Sequence, residues 1–190
     1  MAEKKSPRLE EKYKTEVVKT LTKEFGIKNK LAVPKVEKVV VNSGIGGASK
    51  DKGLISGYSD DFAKITGQKP SVQKAKLSVA SFGIREGNAV GFRTTLRSAK
   101  MYHFLDRLFS IALPRLRDFR GLPVASFDKF GNYSLGMEDN SVFPEVEMDR
   151  KAKPFGLEIT IVTSTKDTGK AKRLLELMGM PFVKEEKNGK

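Results

Sequence analysis

The sequence predicts an α+β two-layer sandwich, a mainly antiparallel open sheet with helices packed on one face. Three observations carry that expectation. Helical and extended apolar patterns interleave along the 190 residues. The strand candidates pair an apolar face with a polar one, and glycine or proline separates most neighbouring elements. No internal repeat, low-complexity tract or linker interrupts the pattern, so a single domain over 1–190 is expected.

Each element has its own justification. Ser6 then Pro7 reads as an N-cap and a first-turn proline, and Leu9, Tyr13, Val17, Leu21 and Phe25 recur at helical spacing until Gly26. After Pro34, Lys35 to Asn42 reads as a strand with Lys38, Val40 and Asn42 on one face and Val39 and Val41 on the other. Gly44, Gly46 and Gly47 break it. Leu54, Tyr58, Phe62 and Ile65 mark a second helix ending at Gly67, ahead of Pro70. A short strand from Ser71 to Ala75 leads into residues 74–88, whose weak periodicity and glycines at 83 and 87 predict a mobile loop. From Ala89 to Arg97 the alternation returns: Val90, Phe92, Thr94 and Leu96 face one way, Gly91, Arg93, Thr95 and Arg97 the other. Ser98 is positioned to cap a third helix with the stripe Met101, Phe104, Leu105, Leu108 and Ile111, ended by Pro114. Short strands and turns are expected over 123–150, an alternating strand at Leu157, Ile159 and Ile161, and a last helix through Ala171, Leu174, Leu175 and Met178, closed by Gly179 and Pro181.

Charge points to the partner. Lys and Arg number 36 against 23 Asp and Glu, a net charge of +13, and the surplus is uneven. Residues 66–120 hold 11 basic and 3 acidic side chains, whereas 121–190 hold 11 of each. A solubilising sprinkle of lysine would not concentrate in one stretch, so a polyanion, nucleic acid first, is the expected partner. The absence of Cys argues against a disulfide scaffold, a Cys zinc site and a thiol nucleophile, and a single His leaves no multi-His metal site. No apolar run approaches the roughly 18 residues of a membrane span, and the opening MAEKKSPRLEEK is polar with both signs. The expectation is a cytoplasmic chain with no membrane, metal or cofactor.

Catalytic motifs are weak. Gly44-Ile45-Gly46-Gly47-Ala48-Ser49 sits between strand and helix, as a dinucleotide-binding turn would, but lacks the third glycine and the acidic residue on the next strand. Thr168-Gly169-Lys170-Ala171 lacks the earlier glycine and following hydroxyl of a phosphate loop. His103 has no evident acid–base partner, and Asn132-Tyr133-Ser134 is a glycosylation pattern without a secretory context. An enzyme built on the Gly44–Ser49 turn is the alternative from another class, and a free-standing RNA-binding regulator is a third.

RNA chemistry is better represented. Basic side chains pair phosphates, while amides and hydroxyls on a sheet face read sugars and base edges. Lys38, Asn42, Arg93, Thr95 and Arg97 share a surface if the two strands are neighbours, with the turn Thr66-Gly67-Gln68-Lys69 beside them; an ordinary solvated sheet face is the competing reading. Lys74, Lys76 and Arg85 flank a loop whose Ser78, Ala80 and Ser81 are small enough to lie against a backbone, and a disordered exposed loop competes there. In Leu113 to Gly121, Arg115, Arg117 and Arg120 surround Phe119, a set suited to phosphates or to stacking unless Arg117 pairs with Asp118.

Four blocks in order, Val41-Asn42-Ser43-Gly44-Ile45-Gly46, Ile65-Thr66-Gly67-Gln68-Lys69-Pro70, Leu113 to Gly121, and Gly131-Asn132-Tyr133-Ser134 with Phe143-Pro144-Glu145, resemble the signatures of the universal L5 family of large-subunit ribosomal proteins in its bacterial form. The resemblance implies an α+β fold, no catalysis and no cofactor. It implies binding to 5S rRNA in the central protuberance, beside large-subunit rRNA and neighbouring 5S-binding proteins. It also implies contact with P-site tRNA and with a small-subunit head protein of the S13 family across an intersubunit bridge. Asn42, Gln68 and Thr95 match the family's neutral 5S-contacting positions; Lys38, Lys69, Arg93 and Arg97 complete the expected 5S-binding face. The loop Lys74 to Arg85 matches the segment that reaches tRNA, through Lys74, Lys76, Ser78, Val79, Ala80 and Arg85. Arg115, Arg117 and Arg120 are further RNA or bridge candidates. Two departures stand out: Lys129-Phe130 precedes Gly131-Asn132 where the family often has glycine and arginine, and a tail Lys184 to Lys190, expected to be flexible, runs past the usual Pro-Phe ending.

Overall fold

Strand parity and helical stripes both reappear in a computed structural model that describes residues 6–46, 52–146 and 154–183. In chain order, α1 (Arg8–Lys12) passes through a wide π-type turn (Tyr13–Val17) into α2 (Val18–Glu24). Then come β1 (Val36–Gly44), α3 (Lys52–Thr66), β2 (Ser71–Lys74), β3 (Ala89–Leu96), α4 (Ser98–Arg107), β4 (Tyr133–Met137), β5 (Leu157–Thr163) and α5 (Thr168–Met178). The strands form one open antiparallel sheet in the order β2-β3-β1-β5-β4, as the α+β expectation required. The tail Lys184 to Lys190 and Gly47 to Ser49 of the glycine-rich turn lie outside the described residues.

The chain divides into two compact units, one of Met1–Lys38, Arg97–Ser134 and Ile161–Lys190, the other of Val39–Leu96 and Leu135–Thr160. In the second unit the period-2 alternation is literal. Val39 faces Leu96, Val41 faces Thr94 and Ser43 faces Phe92 across the β1–β3 ladder, and all six are buried. Helix α3 covers them with Tyr58, Phe62 and Ile65. The Phe62 and Phe92 rings lie 6.1 Å apart and those of Tyr58 and Phe155 5.2 Å apart. Burying side chains of this size contributes about 1.5–3 kcal/mol each. Leu54, expected in the same stripe, stands one turn too early and stays 38% exposed.

In the first unit Leu9, Val17 and Leu21 are buried, while Phe25, at the frayed end before Gly26, is not. Tyr13 is half-buried and donates its hydroxyl to the Pro34 carbonyl at 3.0 Å; burial pushes its pKa up to about 12. Met101, Phe104, Leu105 and Leu108 form the buried stripe of α4 and the turn that follows. A separate aromatic cluster joins Phe127, Tyr133 and Phe182, with Tyr133 at 4.8 Å from the first and 5.6 Å from the last.

Two expected caps are absent. Pro7 itself stands at the N-cap of α1, because its ψ of 135° is outside the helical region, and Ser6 donates to the Glu11 carboxylate instead. Ser98 is the first residue of α4, with φ +51°, and Arg97 precedes it without a side-chain cap. Nor does Pro114 end the third helix. A π-type turn (Leu108–Ala112) follows α4, and Pro114 sits in the 3-10 turn Leu113–Arg115, near whose start its missing N–H costs little.

Candidate nucleic-acid interface

Register turns the predicted strand faces into a surface. Asn42 pairs with Arg93 and Val40 with Thr95, so an amide, a guanidinium and a hydroxyl lie on adjacent rungs of the outward face of β1 and β3. Arg93 is exposed, and Asn42 and Thr95 are half-buried. β2 extends the row, because Ser71 pairs with Arg93 on its other side. The turn after α3 delivers Gln68 and Lys69 to the start of β2. Buried Thr66 fixes that turn, its hydroxyl 2.8 Å from the Phe62 carbonyl and 2.9 Å from the Gln68 carbonyl, so the backbone of half-buried Gln68 is held.

Close packing of β1 against β3 depends on one glycine. A Cβ at Gly91 would lie 2.8 Å from the Ser43 carbonyl oxygen, whereas one on its ladder partner Gly44 would meet nothing within 4 Å. From the other side, the Ser43 hydroxyl donates to the Gly156 carbonyl at 2.7 Å. Asn42 donates through Nδ2 to Glu158 Oε2 at 3.3 Å. Glu158 is a member of this surface that the sequence reasoning passed over. Its parity on β5, between buried Leu157 and Ile159, would have placed it outward.

Of the other expected 5S-face residues, Lys38 is half-buried on β1, and exposed Arg97 immediately follows β3; both belong to the first unit. Residues 74–88, expected as a mobile loop, carry backbone hydrogen bonds that make 75–88 a hairpin. Ala75 N donates to the Asn88 carbonyl at 2.8 Å, Gly87 N to the Ala75 carbonyl at 3.0 Å, and Val79 pairs with Ile84 around the 3-10 turn Ala80–Phe82. Gly83, at φ +62°, closes the turn in the left-handed region. Lys74, Lys76, Ser78, Val79, Ala80 and Arg85 are all exposed on it. Weak apolar periodicity concealed this hairpin because backbone bonds, not buried side chains, hold it. Arg115, Arg117 and Arg120 are exposed on the knuckle after α4, and among the described residues no ion pair joins Arg117 to Asp118.

Two of the weaker motifs have ordinary structural surroundings. At the start of α5 the Asp167 carboxylate accepts the Gly169 and Lys170 N–H groups at 2.9 and 3.2 Å, the amides a phosphate would need. His103 is exposed on α4. Among the described residues no group of three metal-ligating side chains occurs, and no helix is long and apolar enough to cross a membrane.

Comparison with known proteins gives the family. The family model described as ribosomal protein L5 matches residues 29–85, and the model of the C-terminus of the same ribosomal family matches residues 89–182. The large ribosomal subunit protein uL5 of Halothermothrix orenii is 52% identical over 174 residues, 92% of this chain and 97% of the relative. That of a Thermoanaerobacter species is 50% identical over 177 residues, covering 93% and 99%. That of Corynebacterium kroppenstedtii is 46% identical over 184 residues, covering 97% and 100%. The chain belongs to the bacterial ribosomal protein L5 family, and is a structural ribosomal protein rather than an enzyme.

Proposed function

We propose that this chain is a constituent of the large ribosomal subunit, working in the cytoplasm, that binds 5S rRNA through the outward face of β1 and β3 and the Gln68–Lys69 turn. The observation that supports this most directly is the rung order on that face. Asn42 and Thr95 flank a guanidinium, so neutral groups able to read sugars and base edges alternate with one that pairs phosphate. The hairpin 75–88 reaches P-site tRNA. Arg115, Arg117 and Arg120 serve large-subunit rRNA or the bridge to an S13-family protein, beside other 5S-binding proteins. Family membership supports each assignment.

The test is binding of the purified chain to isolated 5S rRNA, with tRNA as competitor, across a salt series. Preference for 5S rRNA that survives the competitor is the expected result. Equal affinity for both RNAs would reduce the face to a nonspecific cation patch and refute the assignment.

A further inference from the structure

We infer that the tip of the hairpin 75–88 is a stacking platform for an exposed nucleobase. This rests on the reading that the hairpin reaches tRNA, and names the chemistry of that contact. Every residue from Lys76 to Gly83 is exposed, although Val79 and Ile84 exchange backbone hydrogen bonds. Leu77 is 75% exposed, Phe82 76% and Val79 38%. Three large apolar side chains on one short hairpin gain nothing where they stand; they lose contact with water only against a partner. Val79 and Ile84 pair across the ribbon, and Arg85 follows Ile84 directly.

Charge decides the class of partner. Lys74, Lys76 and Arg85 stand against the single acid Glu86, and among the described residues none of these cations is ion-paired. An apolar protein groove would leave the three cations without counter-charges. An RNA backbone supplies them, while an unstacked base, or the open face of an end-stacked pair, covers the Phe82 ring.

The test uses ribosomes carrying the full chain with Phe82→Ala, with Phe82→Trp, or with Lys76→Gln and Arg85→Gln together, and measures tRNA release from the P site. Phe82→Ala is expected to speed release about fivefold to 150-fold, Phe82→Trp to leave it near the parent rate, and both to leave 5S affinity and the melting temperature unchanged. A silent Phe82→Ala beside a weakened charge variant would overturn the stacking inference and leave the tRNA contact standing. If all three variants were silent, the tRNA reading itself would fall. A benzophenone photocrosslinker at position 82 checks the partner independently: an adduct with RNA supports the inference, and an adduct with a ribosomal protein overturns it.

Discussion

The rung Gly44–Gly91 allows one side-chain atom to be added at two places that differ in a single respect. At Gly91 the new Cβ would stand 2.8 Å from the Ser43 carbonyl oxygen, about half an ångström inside ordinary contact, and the obstacle is backbone. Gly91→Ala therefore has to part β1 from β3 two rungs from the Asn42–Arg93 pair. Overpacking of this kind costs about 1–3 kcal/mol. At about 2–4 °C per kcal/mol for a chain of this size, the melting temperature falls by about 2–12 °C. Gly44→Ala on the same rung meets nothing within 4 Å and restricts the unfolded chain, so it is neutral or stabilises by up to about 1 kcal/mol. Thermal unfolding by circular dichroism compares the two, and 5S rRNA titration shows whether the strain reaches the face. Equal melting of both variants would refute the claim that Gly91 sets the strand spacing. A Gly91→Ala variant that melts lower yet binds 5S rRNA as the parent does would separate the spacing from recognition.

Other expectations follow from the same geometry. Lys69→Gln or Arg93→Gln should weaken binding across RNA sequences and lower the log-affinity against log-salt slope by about one, as titration at several salt concentrations would show. Asn42→Ala, Gln68→Ala and Thr95→Ala should each cost about 1–3 kcal/mol of 5S affinity and leave that slope alone; intact selectivity in the triple variant contradicts their role. Thr94 Oγ1 is buried without a hydrogen-bond partner opposite Val41, so Thr94→Val should raise stability by up to about 1 kcal/mol, measurable by denaturant unfolding. Burial pushes the Asp128 carboxyl up, but the Asn132 side chain and the Asn132 and Phe130 N–H groups outweigh it and hold the group below its ordinary value of 3.8. A depressed folded value gives stability that is present above the unfolded value and lost as pH falls through the folded one. Asp128→Asn should therefore lower the melting temperature at neutral pH and flatten its decline below about pH 4.

Face membership was legible in the sequence because strand parity needs only local alternation. Val39 and Val41 inward and Lys38 and Asn42 outward follow from counting, and burial agrees. Register was not legible: nothing local says that Asn42 meets Arg93 rather than Thr95, since that depends on where Gly91 lets the backbones approach. The hairpin 75–88 escaped for the opposite reason, having backbone pairing without apolar alternation. Both missed caps came from treating Ser6 and Ser98 as local signals. Pro7 has an extended ψ and Ser98 a positive φ, and each moves the true helix start by one residue from the expected one. Glu158 was legible by parity, as an exposed position between buried Leu157 and Ile159, but its charge is opposite to that of the expected cationic face.

Glu158 changes the chemistry of the face. The chain's charge surplus is concentrated in residues 66–120, and these residues are distributed over several elements. They supply Lys69 at a turn, Arg93 on the sheet, Lys76 and Arg85 on the hairpin, and Arg115, Arg117 and Arg120 on the knuckle. On the sheet itself, Asn42 lies between Arg93 on β3 and Glu158 on β5, and its amide already donates to the carboxylate. An RNA that uses Asn42 must take that donor from Glu158 or accept the carboxylate as a neighbour. Phosphate is a poor occupant beside Glu158, whereas a base or sugar edge that offers a donor to the carboxylate and an acceptor to the amide is a good one. On the proposed reading the sheet therefore discriminates through donors and acceptors around Asn42, where Arg93 and Glu158 are of opposite charge. On the proposed reading, Arg93 and Lys69 share the sequence-independent attraction with the hairpin and the knuckle, while selectivity rests on the neutral groups Asn42, Gln68 and Thr95.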